Sequence, residues 1–403
     1  MITPEAAFNS ILNNIHPLHE IFVPLIESTG YTLAEEIFAD RDSPAADRSA
    51  MDGYAVSHED LAHCPRTLNL TGEVSAGSPE KPEVLPGTCV RVLTGANVPP
   101  GADTVVRVED TEKSDDSVVF LKTIKSGSNI RRQGEEVKKG DLLFTRGTIL
   151  GAAQIGICAT VGKAELNVYY RPRIAVVCTG EELRDAAEPV KVHEIRDSNG
   201  PSLRATLFTW GFTDITQKTL PDDVEVIEKE LSQLAESHEV ILITGGVSVG
   251  TYDFVPEAVE QIGATIQFHK VFMKPGKPFL YATLPGNRHI FGLPGNPLSV
   301  MAGFYEFVLP GLHRLSGRVE KDCRISMFLP LSHSVSSDKE RVRLVIAQIQ
   351  WNSNGPEVTP LKSHGSADLP AGSKADGVIV VPVNAGEITA GTLVEFRPWR
   401  PLP

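Results

Sequence analysis

The spacing of hydrophobic positions changes along the chain, and each change marks a different kind of structure. Near the amino terminus Phe8, Ile11, Leu12 and Ile15 stand at i, i+3, i+4 and i+7, the one-sided stripe of an amphipathic helix. Thr3 is placed to cap this helix and Pro4 suits its first turn, while Pro17 and Pro24 break it. A second helical piece is predicted from Pro24 to Glu36. From Asp42 to Lys139 the apolar runs are short (Thr67–Leu70, Cys89–Leu93, Thr104–Val108, Val118–Leu121) and are separated by Gly, Pro and Asp, which predicts β-rich structure. Ser114–Ser117 reads as an exposed hairpin turn.

From Arg173 to Ser316 strands and helices alternate. Ile174–Cys178 and Val240–Ile243 are continuously apolar, as strands buried on both faces are. A helix from Asn199 carries Leu203, Leu207 and Trp210 on one side and stops at Gly211. Phe212–Leu220 is a strand, and Pro221 with Asp222 opens a helix striped by Val224, Ile227, Leu231 and Leu234. A short helix near Phe254–Ile262, strands at Thr265–Val271, Pro278–Ala282 and Ile290–Leu293, and a helix at Pro297–Leu309 complete the pattern. Alternation of this kind predicts a parallel, doubly wound α/β sheet. The tail from Val319 to Pro403 shows no convincing helix; its strands, Arg341–Ile349, Val378–Val381 and Leu393–Phe396, predict a small β-barrel or sandwich.

The chain has 403 residues, enough for two to four domains, and 41% hydrophobic with 22% charged residues is ordinary globular composition. A net charge of −13 argues against a duplex-binding surface, since phosphate backbones demand a basic face, so no nucleic-acid partner is expected. The five cysteines are scattered and form no C-x-x-C pair, which disfavours a disulfide framework and a cysteine zinc site. The amino terminus lacks a basic region followed by an apolar run, and the longest mostly apolar stretch, Ile149–Val161, is shorter than the roughly 18 residues a spanning helix needs. A soluble, cytoplasmic protein without a membrane span is expected.

Three segments could carry chemistry. The loop Gly245-Gly246-Val247-Ser248-Val249-Gly250 follows a buried strand and precedes a helix, where α/β sheets bind ligands. It is either an anion-binding loop or a tight strand-to-helix turn, and it is neither a dinucleotide fingerprint nor a Walker loop. Lys270, Lys274 and Lys277 lie close together; they form either a solvated surface patch or a phosphate site, and the stiff Lys-Pro-Gly-Lys-Pro frame around the last two favours the phosphate site. Gly292-Leu293-Pro294-Gly295-Asn296-Pro297 ends a strand and starts a helix, with Asn296 as its cap, and adds backbone donors at the same sheet edge. Acids in turn contexts are Asp52, Glu135, Glu136, Glu181, Glu182, Asp197, Asp222 and Asp253; converging on a phosphate site they would hold Mg²⁺ or orient water, while each alone reads as an ordinary surface acid or helix cap, the cap reading being clearest for Asp222. The absence of a G-x-S-x-G elbow and of an activated cysteine disfavours nucleophilic acyl chemistry.

Taken in order, eight segments resemble one family. They are Ser49–Ala55 (S-A-M-D-G-Y-A), Val92–Ala96 followed by Pro100–Asp103, Asn129–Arg132 with Gly134–Glu136, Cys178–Leu183, Asp197–Asn199, Thr244–Gly250, Lys274–Pro278 and Gly292–Pro297. Together they resemble the MoeA family of molybdenum cofactor biosynthesis and are similar to the gephyrin E domain. The resemblance implies an α/β multidomain protein: a MogA-like domain of residues 1–20 and 171–317, an elongated helical linking and dimerisation segment of residues 21–41 and 140–170, an inserted β-rich domain of residues 42–139, and a carboxyl-terminal β-barrel of residues 318–403. It implies a homodimer in which Asp52, Thr94 and Glu136 act in trans. It also implies a molybdopterin molybdenumtransferase reaction, in which molybdate enters adenylylated molybdopterin with Mg²⁺-assisted release of AMP.

The family's important positions fall on Asp52, Thr94, Glu136, Glu182, Asp222, Asp253, Lys270, Lys274, Arg341 and Ser366. Where the family often has Asp, this chain has Glu136. Molybdopterin contacts are expected from Gly245, Gly246, Ser248, Gly250, Lys277, Pro294, Gly295 and Asn296, and Mg²⁺ ligation from Glu182, Asp222 and Asp253. A MogA-like adenylyltransferase is an implied partner. Two other readings compete: a nucleotide pyrophosphohydrolase on the same α/β module, like the CinA-related proteins, and a non-catalytic scaffold of the gephyrin E type.

Overall fold

The computed structural model describes residues 1–247 and 254–400, so Ser248, Gly250 and Asp253 lie outside the described residues. The chain divides into two compact units. One comprises Met1–Ala34, Arg146–Gly151 and Glu165–Pro403; the other comprises Glu35–Thr145 and Ala152–Ala164.

The larger unit holds the α/β sheet. Its strands are β1 (Ile174–Thr179), β2 (Ile215–Leu220), β3 (Val240–Thr244), β4 (Thr265–His269), β5 (Leu280–Leu284) and β6 (Arg288–Leu293), in spatial order β2-β1-β3-β6-β5-β4. Alternate residues of β1 face opposite ways. Ile174, Val176 and Cys178 join a core with Phe8, Ile11, Leu203 and Leu207, while Ala175 and Val177 join another with Ile227, Leu231 and Leu234. Helices therefore cover both faces, and the first helix, α1 (Pro4–Asn14), is capped as expected, with Thr3 Oγ1 accepting from Ala6 N at 3.2 Å.

The expectation of an all-parallel sheet needs correction. β2, β1, β3 and β6 run parallel, but β5 pairs antiparallel with both β6 and β4. The cause is local: β5 and β6 are joined by Pro285-Gly286-Asn287, with φ of 81° at Gly286 and 58° at Asn287, and so short a turn permits only an antiparallel return.

The tail forms β7 (Met327–Pro330), β8 (Val342–Asn352), β9 (Gly355–Pro360), β10 (Gly377–Val381) and β11 (Leu393–Pro398). They pair antiparallel in the order β8-β10-β11-β7, with β9 on the other edge of β8, and a bridge from Leu331 to Val358 links the chain after β7 to β9. A four-residue helix, Leu369–Gly372, also occurs there, capped by Asp368, although no helix was expected in the tail. Met273–Lys274 pairs in parallel with Val342–Arg343, so the lysine segment forms an edge of the tail's sheet.

A second correction concerns Pro24–Glu36. It is not a helix: Glu20–Pro24 pairs antiparallel with Glu165–Tyr169, Leu25–Glu27 makes one 3₁₀ turn, and the N–H groups of Leu33 and Ala34 donate to Thr148 and Asn167. Gly30, at φ 76°, and the β-branched Thr29 and Thr32 work against helix there. The segment expected to be an elongated helical domain contains only one α-helix among the described residues, Ala152–Thr160.

The smaller unit is built on a six-stranded sheet of Thr104–Arg107, Gly53–Val56, Thr88–Val92, Arg66–Val74, Ser117–Phe120 and Thr111–Lys113 in that spatial order. Ser114 N donates to Ser117 O at 2.8 Å, closing the expected hairpin. Among the described residues no helix is long and apolar enough to cross a membrane.

Candidate active site

At the carboxyl ends of β1, β2, β3 and β6 lies a cavity of about 580 Å³. Thr179, Glu182, Asp222, Gly245, Gly246 and Asn296 are among the residues that line it. A sheet end of this kind is the expected ligand position. Its rim is cross-tied by Asn199, whose Nδ2 donates to Gly295 O at 2.7 Å and Thr244 Oγ1 at 3.2 Å, while Thr244 Oγ1 donates to Pro294 O at 2.9 Å. Asp197 Oδ1 accepts from the N–H groups of Asn199 and Gly200, at 2.9 and 3.0 Å, and so fixes the start of that helix. Gly245 has a φ of 99°, and a Cβ there would stand 2.5 Å from Thr179 O, so the close approach admits glycine alone. His269 Nε2 lies 2.9 Å from Val247 O and must carry the proton, because a carbonyl only accepts; it pins the described end of the glycine loop.

Asp222 is not the helix cap. Asp223 takes that role, accepting from Val226 N at 3.1 Å, and leaves the Asp222 carboxylate in the cavity. Burial pushes the Asp222 carboxyl up and the nearby Glu182 carboxylate adds to the effect. Cys178 also lines this cavity, but burial and the Asp197 carboxylate raise its thiol well above the ordinary range, so it stays protonated.

A second cavity, of about 650 Å³, shares Pro278, Pro294 and Asn296 with the first. Lys274, Lys277, Arg341, Arg343 and Lys362 line it, with no carboxylate among its described lining residues. Ser366 lines it too, and Asn296 Nδ2 donates to Ser366 Oγ at 2.9 Å. Asn296 occupies the cap position of its helix but makes no side-chain cap bond, its amide being engaged with the tail. Arg343 is held by the carbonyl and hydroxyl of Ser336, and Arg341 stands 3.7 Å from Asp338.

The residues singled out in the sequence thus separate into groups. Glu182, Asp222, Gly245, Gly246, Pro294, Gly295 and Asn296 gather on the acidic cavity, and Lys274, Lys277, Arg341 and Ser366 on the cationic one, with Pro294 and Asn296 shared. Lys270 lines neither; it adopts a φ of 74° and its carbonyl accepts from Ile2 N at 3.1 Å. Asp52, Thr94 and Glu136 belong to the smaller unit. There Thr94 donates to Asp52, while Glu136 accepts from Ser43 Oγ at 2.9 Å and pairs with Arg131. Asn199 is a site residue that the sequence marks only through the Asp-Ser-Asn triplet between a buried strand and a helix. Among the described residues no three metal-binding side chains converge; Glu182 and Asp222 supply two, and the expected third ligand, Asp253, lies outside the described residues.

Three family models account for most of the chain. Residues 2–162 match the MoeA N-terminal region (domain I and II), residues 175–314 the "Probable molybdopterin binding domain", and residues 329–399 the MoeA C-terminal region (domain IV). A Staphylococcus aureus (strain COL) protein named molybdopterin molybdenumtransferase is 32% identical over 399 residues, covering 98% of this chain and 95% of that protein. A Staphylococcus epidermidis (strain ATCC 12228) protein of the same name is 32% identical over 403 residues, covering 98% and 94%. Among solved structures, the molybdopterin biosynthesis MoeA protein of Pyrococcus horikoshii OT3 superposes with a TM-score of 0.85 at 28% identity, over 99% of this chain and 100% of that one. A sheet-end cavity joined to a lysine-lined one, in a chain that matches these models and relatives from end to end, leads to one assignment: the chain belongs to the MoeA family of molybdenum cofactor biosynthesis.

Proposed function

We propose that the chain is a molybdopterin molybdenumtransferase that takes adenylylated molybdopterin and molybdate and releases AMP and molybdenum cofactor. The observation that carries this reading is the pair of cavities of opposite character sharing the Pro278–Pro294–Asn296 wall. Two anionic substrates repel each other. A site that brings them together must neutralise each separately and keep their reacting ends close. Lys274, Lys277 and Arg341 attract and hold the oxyanion. The amides of Gly245, Gly246 and Gly295 approach the pterin's phosphate closely because no side chain stands in the way.

The donor set suits Mg²⁺. Glu182 and Asp222 are neighbouring carboxylates without an ion-pair partner among the described residues, and the raised Asp222 carboxyl marks a site short of positive charge. Glu182 and Asp222, together with Asp253, would hold the ion, which supplies Lewis-acid polarisation of the bridging phosphate. The other residues carried over from the resemblance, Lys270, Ser248, Gly250 and Ser366 among them, belong to the same proposal. So does the division into four domains with a barrel tail, with the bridge from Leu331 to Val358 supporting the barrel. The protein acts as a cytoplasmic homodimer in which Asp52, Thr94 and Glu136 serve the partner's site, and a MogA-like adenylyltransferase supplies its substrate.

The test mixes purified protein with adenylylated molybdopterin, molybdate and Mg²⁺. Molybdate-dependent AMP release and reconstitution of an apo-molybdoenzyme are expected. Absence of both overturns the reading, and molybdate-independent hydrolysis of ADP-ribose would put a pyrophosphohydrolase in its place.

A further inference from the structure

The excursion that carries Glu182 also builds a wall of the acidic cavity. After β1 the chain leaves the sheet, and residues 180–197 form an excursion in which Leu183–Arg184 pairs in parallel with Ile195–Arg196. This wall is firmly built. Glu194 is buried, and its carboxylate accepts from Arg184 at 2.8 Å and from Lys191 N at 2.9 Å. Arg184 also donates to the carbonyls of Glu181 and Leu183, at 2.8 and 2.7 Å, and Leu183 packs against the main core. Leu183, Ile195 and Arg196 face the cavity.

Arg196 is the only cationic side chain among the described residues lining that cavity, which Glu182, Asp197 and Asp222 also line. Its Nε donates to Glu188 O at 3.0 Å, which fixes the stem, and among the described residues neither terminal nitrogen is engaged, so both can meet an incoming acceptor. We propose that Arg196 is a substrate-binding residue that grips the adenylyl phosphate, so that this wall selects the adenylylated pterin over the free one. The inference rests on the function proposed above. A phosphodiester entering a cavity lined by three carboxylates needs positive charge from more than one source. A divalent ion on Glu182 and Asp222 would supply part of that charge and Arg196 the rest. The planar guanidinium offers two parallel donors to one phosphate, a geometry that lysine lacks. Molybdate is drawn to the other cavity, so its binding is independent of Arg196.

The experiment uses the full chain with Mg²⁺ and titrates AMP calorimetrically into wild type, Arg196→Gln and Arg196→Lys, alongside steady-state kinetics. Arg196→Gln should weaken AMP at least about tenfold, raise KM for the adenylylated pterin by a similar factor and leave KM for molybdate unchanged. Arg196→Lys should fall between. Because Arg196 is exposed, the melting temperature should not move, so a loss of AMP binding reports the contact and not the fold. If wild type binds and releases AMP while Arg196→Gln matches it in both measurements, the Arg196 assignment is overturned and the function stands. If wild type neither binds nor releases AMP, the function reading fails and takes this inference with it.

Discussion

Thr94 donates twice to the same atom: its backbone N–H and its hydroxyl both reach Asp52 Oδ1, each at 2.7 Å. Because one carboxylate oxygen takes both bonds, the side chain is held in a fixed orientation with Oδ2 turned away from Thr94. The two donors hold the Asp52 carboxyl below its usual range, with the nearby Arg91 charge adding to the effect.

Thr94→Val removes the hydroxyl and keeps the N–H. The Asp52 carboxyl should then titrate at higher pH, read by carboxylate NMR, and molybdenum insertion should fall about tenfold, as for loss of one charge-assisted hydrogen bond. The sign follows from the lowered value: this contribution to stability is present above the unfolded pKa and is lost as pH falls through the folded one. An unchanged titration would show that the hydroxyl does not donate in solution.

Asp222 has the opposite sign. Its carboxyl is raised in the fold, so the stability it contributes is present below the unfolded pKa and is lost as pH rises through the folded one. Asp222→Asn should therefore raise the melting temperature at neutral pH while lowering apparent Mg²⁺ affinity at least about tenfold. A stabilised and fully active variant would remove Asp222 from the proposed metal site.

Lys274 pairs with the tail's sheet through its backbone, and its side chain is exposed. Lys274→Gln should keep the fold, raise KM for molybdate about tenfold and flatten the salt dependence of turnover, since one point charge leaves an otherwise cationic cavity. Kinetics at two ionic strengths decide it; an unchanged salt slope would count against an electrostatic role.

Arg397 on β11 pairs with Glu306 inside the α/β core, with Glu306 only 1% exposed. Glu306→Ala leaves the buried guanidinium with Glu395, 2.9 Å from its Nε, as its remaining counter-charge and should cost about 2–3 kcal/mol, seen as an earlier thermal transition. Replacing both partners, Glu306→Met with Arg397→Leu, should recover most of that loss. A single variant as stable as wild type would mean that water reaches the pair.

Much of the site was legible because glycine and proline record backbone demands locally. In the segment around Asp52, Gly53 is required because a Cβ there would lie 2.1 Å from Val106 O across the neighbouring strand. The buried strands β1 and β3 could be read from unbroken apolar runs, since a strand covered on both faces has no polar side to show. The helix expected at Pro24–Glu36 failed because its apolar residues serve strand pairings with residues more than a hundred positions away, and no local period reports such a partner. Asp222 and Asp223 are indistinguishable as caps by residue type; only the path of the chain decides which carboxylate turns into the helix and which into the cavity.

The sequence by itself determined the family, the alternation of buried strands with helices, and the chemical types at the site, because these depend on residue identity and near-neighbour spacing. Tertiary structure alone decided that glycines and lysines line two adjoining cavities and not one. Lys274 belongs at once to a loop of the α/β unit and to an edge of the tail's sheet, and Ser366 arrives from some seventy residues away to meet Asn296. Such placements follow from how folded layers pack, and packing joins residues that the order of the chain keeps far apart.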